Sequence, residues 1–117
     1  MLQAAMLEVI QEASEGVLVL IDNVEAAEFR RSRLTRHEVR RLLCLVADTL
    51  LALPCSTRQA MPEIDWGSWR SVQYGFSSAA IDGDELGWDA AHGPVPVTLS
   101  WLRVYRHNEP VLFDFRP

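Results

Sequence analysis

The stretch from Phe29 to Trp66 constrains this chain most, because a helix start, a long apolar helix and a proline stop follow one another within it. Thr35 and Glu38 have the spacing of a capping box, in which each side chain satisfies a backbone N–H near the other residue. That spacing predicts a helix beginning there, with Val39, Leu42, Leu43, Val46, Leu50 and Leu53 as its inner stripe. Cys44, Leu45, Leu51 and Ala52 add apolar surface on the flanks. A helix apolar around most of its circumference must be covered on more than one side. In a chain of 117 residues a homodimer is an economical way to do so. Pro54 ends the helix, since it lacks an N–H and disfavours helical geometry in the residue before it.

The flanking segments also read as helical. Leu2, Met6, Val9, Ile10, Ala13, Val17, Leu20 and Ile21 recur at three- and four-residue intervals, predicting a first helix over 2–21 with Gly16 as a candidate kink. The β-branched run from Val17 to Ile21 also allows a strand. Asp22 and Asn23 offer a turn or the cap of a short helix through Phe29. After a connection from Cys55 to Met61, Asp65 caps a helix that carries Trp66, Trp69, Gln73 and Phe76 near one face, as core or interface residues. Asp82 and Glu85 repeat the cap spacing, the small-residue segment from Tyr74 to Gly87 breaks the pattern, and 96–106 can form a last helix. Residues 107–117 read as an extended tail whose aromatics suggest docking. The expectation is one all-α domain over 1–117, an up-and-down bundle of four or five helices at 2–106, followed by that tail.

Composition narrows the chemistry. With 16 acidic and 11 basic side chains the net charge is −5, and every basic residue is arginine. A general affinity for nucleic acid needs a basic face, which the whole surface lacks. One local cluster stands out: Arg30, Arg31, Arg33, Arg36, Arg40 and Arg41, offset only by Glu38. It is suited either to RNA phosphates or an acidic partner, or to a solvated face paired with the chain's own carboxylates. Cys44, Cys55, His37, His92 and His107 are too few and too scattered for a zinc site. Asp82, Asp84 and Glu85 fit a capped turn better than a divalent-cation site. Ser77 and Ser78 have no base beside them for nucleophilic work. Neither a metal nor a cofactor is expected. Residues 1–6 lack a basic leader, and Glu8, Glu12, Glu15 and Asp48 interrupt the apolar stretches, so a cytoplasmic protein without a membrane span is expected.

Taken in order, Phe29, Leu34-Thr35-Arg36, Val39, Arg41-Leu42, Leu53-Pro54 and Pro62-Glu63-Ile64-Asp65-Trp66 resemble the HepT-like branch of the HEPN superfamily. Trp88-Asp89, Pro96, Leu99 and Trp101-Leu102-Arg103 are similar to that family's closing pattern, so the resemblance covers roughly residues 2–106. It implies a homodimeric helical bundle, the toxin half of a toxin–antitoxin pair whose partner is a small nucleotidyltransferase. Family toxins are metal-independent ribonucleases with an Arg, four residues, His, one residue, Tyr motif at the dimer interface. The nucleotidyltransferase silences them by transferring AMP to the tyrosine.

Here the chain departs from the pattern. Counting forward from Trp66, the three motif positions fall on Gln73, Ser78 and Ala80; counting back from Trp88, on Val72, Ser77 and Ala79. Arg70 and Tyr74 lie close by, but no histidine occurs between His37 and His92. No catalytic residue carries over. Arg31 and His37, with Arg36 beside them, match a looser superfamily spacing but precede the wrong helix. Two readings follow. One is a non-catalytic interaction module that binds a nucleotidyltransferase or another protein partner. The other is a divergent ribonuclease holding RNA on the arginine cluster.

Overall fold

A computed structural model describes residues 2–79 and 81–114, and no strand occurs among them. Five helices of ten residues or more carry the fold: α1 (Leu2–Ile21), α3 (Arg33–Leu51), α5 (Trp66–Ser77), α6 (Gly83–His92) and α7 (Pro94–Asn108). Two short ones, α2 (Ala26–Arg31) and α4 (Cys55–Gln59), sit in the connections, and a 3₁₀ turn at Pro110–Phe113 closes the described chain.

Helix α3 is the central element, packed against α1, α2, α5 and α6. Its Val39, Leu43, Val46, Ala47 and Leu50 are buried, at the 3–4 residue spacing that lines one helix face. Against them α1 sets Leu7, Ile10, Ala13, Val17 and Ile21. The buried face of α1 is therefore rotated from the one its spacing predicts: Leu7 is central to the core, whereas Leu2 and Val9 are exposed. Two overlapping 3.6-residue stripes coexist in this helix, and periodicity alone does not say which one meets α3. Gly16 produces no interruption, because α1 is helical from Leu2 to Ile21. A Cβ there would lie 3.1 Å from Leu42 Cδ1, so the glycine serves close approach of α1 and α3. Asn23, with φ of 57°, then turns the chain out of α1.

Several helix ends differ from expectation. The cap of α3 is Ser32, whose Oγ accepts from the Thr35 N–H at 3.3 Å. Thr35 thus lies inside the helix, and Glu38 turns to Arg41 instead of closing a capping box. The earlier start follows from Ser32 itself, a favoured cap residue that reaches the N–H three residues on. Asp65 caps α5 through Ser68, and Asp82 caps α6 through the Asp84 and Glu85 N–H groups. The Ser68 donors hold the Asp65 carboxyl below its ordinary range. The Cys55–Met61 connection contains α4, and α7 begins at Pro94, where a proline in the first turn sacrifices no helical hydrogen bond. The segment around residues 74–87 is helical through Ser77 and again from Gly83, with a break between.

The C-terminal segment is not extended. Pro110–Phe113 coils into the 3₁₀ turn and packs on α1 and α7, so 107–114 belongs to the same packed body. The cause is burial: Phe113 is removed from water, Arg106 lies 4.4 Å over its ring, and Gln3 Nε2 donates to the Leu112 carbonyl at 3.1 Å. Residues 115–117 of the expected tail lie outside the described residues.

Two polar ties cross the core. The buried Trp69 indole donates to Thr98 Oγ1 at 2.9 Å, joining α5 to α7. The Tyr105 hydroxyl of α7 accepts the Glu63 N–H at 3.1 Å and donates to the Glu63 carboxylate. Burial first, and then that carboxylate, push the Tyr105 phenol well above its ordinary range. Such an acid favours folding below its unfolded pKa, and the contribution fades as pH rises past about 10. Tyr105→Phe is expected to lower stability by about 1 kcal/mol at neutral pH and to flatten the loss of stability above that pH, read by urea unfolding at stepped pH. Thr98→Val, which leaves the indole N–H buried without an acceptor, is expected to cost about 1–3 kcal/mol in the same assay.

Candidate functional site

Three surface regions gather chemistry. The first is the arginine cluster on α2 and the first half of α3. Arg30 Nη2 lies 3.4 Å from Glu85 Oε2, and Arg36 Nη1 lies 2.6 Å from Asp84 Oδ2. Arg40 Nη2 donates to the Phe76 carbonyl at 2.8 Å while its guanidinium lies 5.1 Å from the centre of the Phe76 ring. Arg41 forks onto both Glu38 oxygens, at 2.5 and 3.0 Å. The fork holds the Glu38 carboxyl below its ordinary range and raises the Arg41 guanidinium. Arg31, Arg33 and His37 are exposed, and among the described residues no ion pair engages them.

Four of the six arginines are therefore occupied within the chain. Arg30, Arg36 and Arg40 clamp α2 and α3 onto the start of α6 and the end of α5, while Arg41 is paired within α3. The acidic turn is explained by the same contacts, since Asp82 caps α6 while Asp84 and Glu85 accept from arginine. Among the described residues no three His, Cys, Asp or Glu side chains are grouped as metal ligands would be. Cys44 and Cys55 are both free thiols.

The second region is a cleft of about 470 Å³ between α3 and α5, lined by Arg40, Cys44, Asp48, Gln73, Tyr74, Phe76 and Ser77. It coincides with the part of the chain where the resemblance places its nuclease motif. Gln73 Nε2 donates to Asp48 Oδ1 at 2.7 Å, Val72 is buried, and Ser77 Oγ donates to the Tyr74 carbonyl at 2.8 Å. Ala80, one of the motif positions, lies outside the described residues. Tyr74 is 69% exposed at the cleft edge. Burial, followed by the nearby Asp48 charge, pushes the Cys44 thiol up, so it stays protonated and weakly nucleophilic. The lining supplies no imidazole, and its one guanidinium is already spent on Phe76.

The third region is an apolar groove between α1 and α3. It has a volume of about 660 Å³ and is lined by Leu2, Ala5, Met6, Val9, Leu45, Asp48, Thr49 and Ala52. A smaller continuation of about 270 Å³ shares Val9 and Leu45 and ends at Glu12, Arg41 and Leu42. Low-numbered residues of α1 accompany high-numbered residues of α3, so the two helices run in opposite directions along it. Leu2, Val9 and Leu45 remain 73%, 37% and 38% exposed. The α3 wall was legible in the sequence as excess apolar surface on the flank. The α1 wall was not, because Leu2, Met6 and Val9 were assigned to the inner face.

No family model, curated protein or solved structure matches the chain.

The clamps differ in what their loss should do. Arg40→Met strands the Phe76 carbonyl at the end of α5 and is expected to destabilise by about 1 kcal/mol. Arg31→Met is expected to stay within about 0.5 kcal/mol of the parent. Urea midpoints of the two variants, compared at equal ionic strength, check this.

Proposed function

We propose that this protein is a non-catalytic interaction module: a HepT-like up-and-down helical bundle that works as a homodimer and docks a nucleotidyltransferase-type protein in the cytoplasm. The observation that carries this reading is the apolar groove between α1 and α3, whose Leu2, Val9 and Leu45 are exposed among the described residues. Apolar surface gathered in a groove and rimmed by polar residues is a common form of protein-docking site. No helix is long and apolar enough to cross a membrane, so no described helix meets the requirement for a lipid span.

Two further observations support binding over catalysis. General acid–base cleavage of RNA needs a proton carrier near neutral pH beside a charge that balances the phosphate. Helix α5 offers Gln73, Tyr74 and Ser77 at the cleft instead. The arginines that would hold phosphate are mostly engaged with Glu85, Asp84, Glu38 and the Phe76 carbonyl. The competing reading, a metal-independent ribonuclease, draws on the exposed Arg31, Arg33 and His37.

Incubation of the purified protein with RNA in chelator separates the two. The expected outcome is no cleavage, at low or high salt, from a folded protein. Cleavage abolished by the Arg36→Ala, His37→Ala double substitution would replace the interaction reading with a nuclease site at the head of α3.

A further inference from the structure

The groove's charge pattern says what covers it. On α3, Arg41, Leu45, Asp48 and Ala52 follow one another at four, three and four residues, the spacing of a single stripe facing one partner helix. Leu45 sits at the middle of that stripe. Arg41 lies about one turn before it and Asp48 about one turn after.

A stripe with opposite charges on either side of an apolar centre is complementary to itself when reversed. Two copies related by a two-fold axis at Leu45 would lay α3 antiparallel on α3, bringing each Arg41 beside the other copy's Asp48. Parallel pairing would set arginine against arginine and aspartate against aspartate. We propose that the α1–α3 groove is the site where a second copy of this chain docks, antiparallel, with Leu45 and Val9 at its centre and two reciprocal Arg41–Asp48 pairs beside it. This deepens the interaction-module reading and rests on it.

The hydrogen-bonding inventory is compatible with that contact. Arg41 gives Nε and Nη2 to Glu38, which leaves the Nη1 amino group as a donor. Asp48 accepts from Gln73 on Oδ1, which leaves Oδ2 as an acceptor. Both residues line the groove system. Exposed ion pairs contribute little net energy. Their part here is register and direction, while the apolar centre supplies the attraction. Two groups oppose the arrangement: Glu38 already lies on Arg41, and Glu12 lines the Arg41 end and would face the incoming aspartate. Neutralising Glu12 should therefore tighten the dimer, while the charge-reversal pair distinguishes the proposed register from a merely hydrophobic association.

The test uses the full chain and measures mass by sedimentation equilibrium across a concentration series, with circular dichroism to confirm folding. The parent is expected at twice the chain mass, Leu45→Glu at the monomer mass, and Glu12→Gln more tightly dimeric than the parent. Arg41→Asp and Asp48→Arg should each weaken self-association by about tenfold or more, because each homodimer then holds like charges twice. Mixing the two variants should restore the dimer, since both pairs are again opposite in sign. That rescue also guards against a variant that fails through misfolding.

A monomeric parent over the whole series would overturn the proposal. So would a dimer indifferent to both charge variants, or variants that fail to recover on mixing while each is folded. In that second case the interface lies elsewhere and the interaction-module reading survives. Cleavage of RNA by the parent would instead sink that reading, whatever mass is found.

Discussion

The burial of one face of α3 is the constraint on which the remaining structure depends. Val39, Leu43, Val46, Ala47 and Leu50 are all withdrawn from water, and no single neighbour can cover them. Helix α1 takes one flank, α5 and α6 another, and α2 the N-terminal end. A fully buried aliphatic side chain contributes on the order of 1.5–3 kcal/mol. A domain of this size is stable by only about 5–15 kcal/mol. Each residue of the stripe therefore carries a sizeable share of the fold, and α3 fixes where everything else is placed.

The arginines act at a different scale. Exposed ion pairs such as Arg30–Glu85 and Arg36–Asp84 are each worth at most about 1 kcal/mol. They do not hold the molecule together. They orient α6 on α3 and consume positive charge that would otherwise gather phosphate. A segment that reads as a basic patch in one dimension is thus largely an internal clamp in three. What remains distinctive on the surface is apolar: the groove where α1 and α3 meet, with Arg41 and Asp48 on either side of Leu45.

The legible parts of the fold share a local cause. Asp65 and Asp82 cap α5 and α6 as their spacing predicts, because a cap requires only a side-chain oxygen and an N–H two or three residues away. Pro54 stops α3 through its own ring and missing N–H. Where two local signals compete, the sequence was less decisive. Ser32 and Thr35 both qualify as caps; Ser32 takes the role, and Glu38 is drawn off by Arg41. The C-terminal segment failed for a non-local reason, since the coil at Pro110–Phe113 is maintained by contacts with α1 and Arg106, far off along the chain.

By itself the sequence determined a helical chain, the identity of its central helix, the span of α1, the caps of α5 and α6, and the lack of Arg, His and Tyr at the motif positions after Trp66. These follow from periodicity, capping and composition, which act over a few residues. Tertiary structure alone decided that Leu7 enters the core while Leu2 and Val9 face outward, that the arginines find carboxylates and a carbonyl, and that α1 and α3 leave a groove between them. The physical reason is the same in each case. A residue's pattern says that it belongs on a face, but only packing against elements distant in the chain says which face is covered and which charges are already paired.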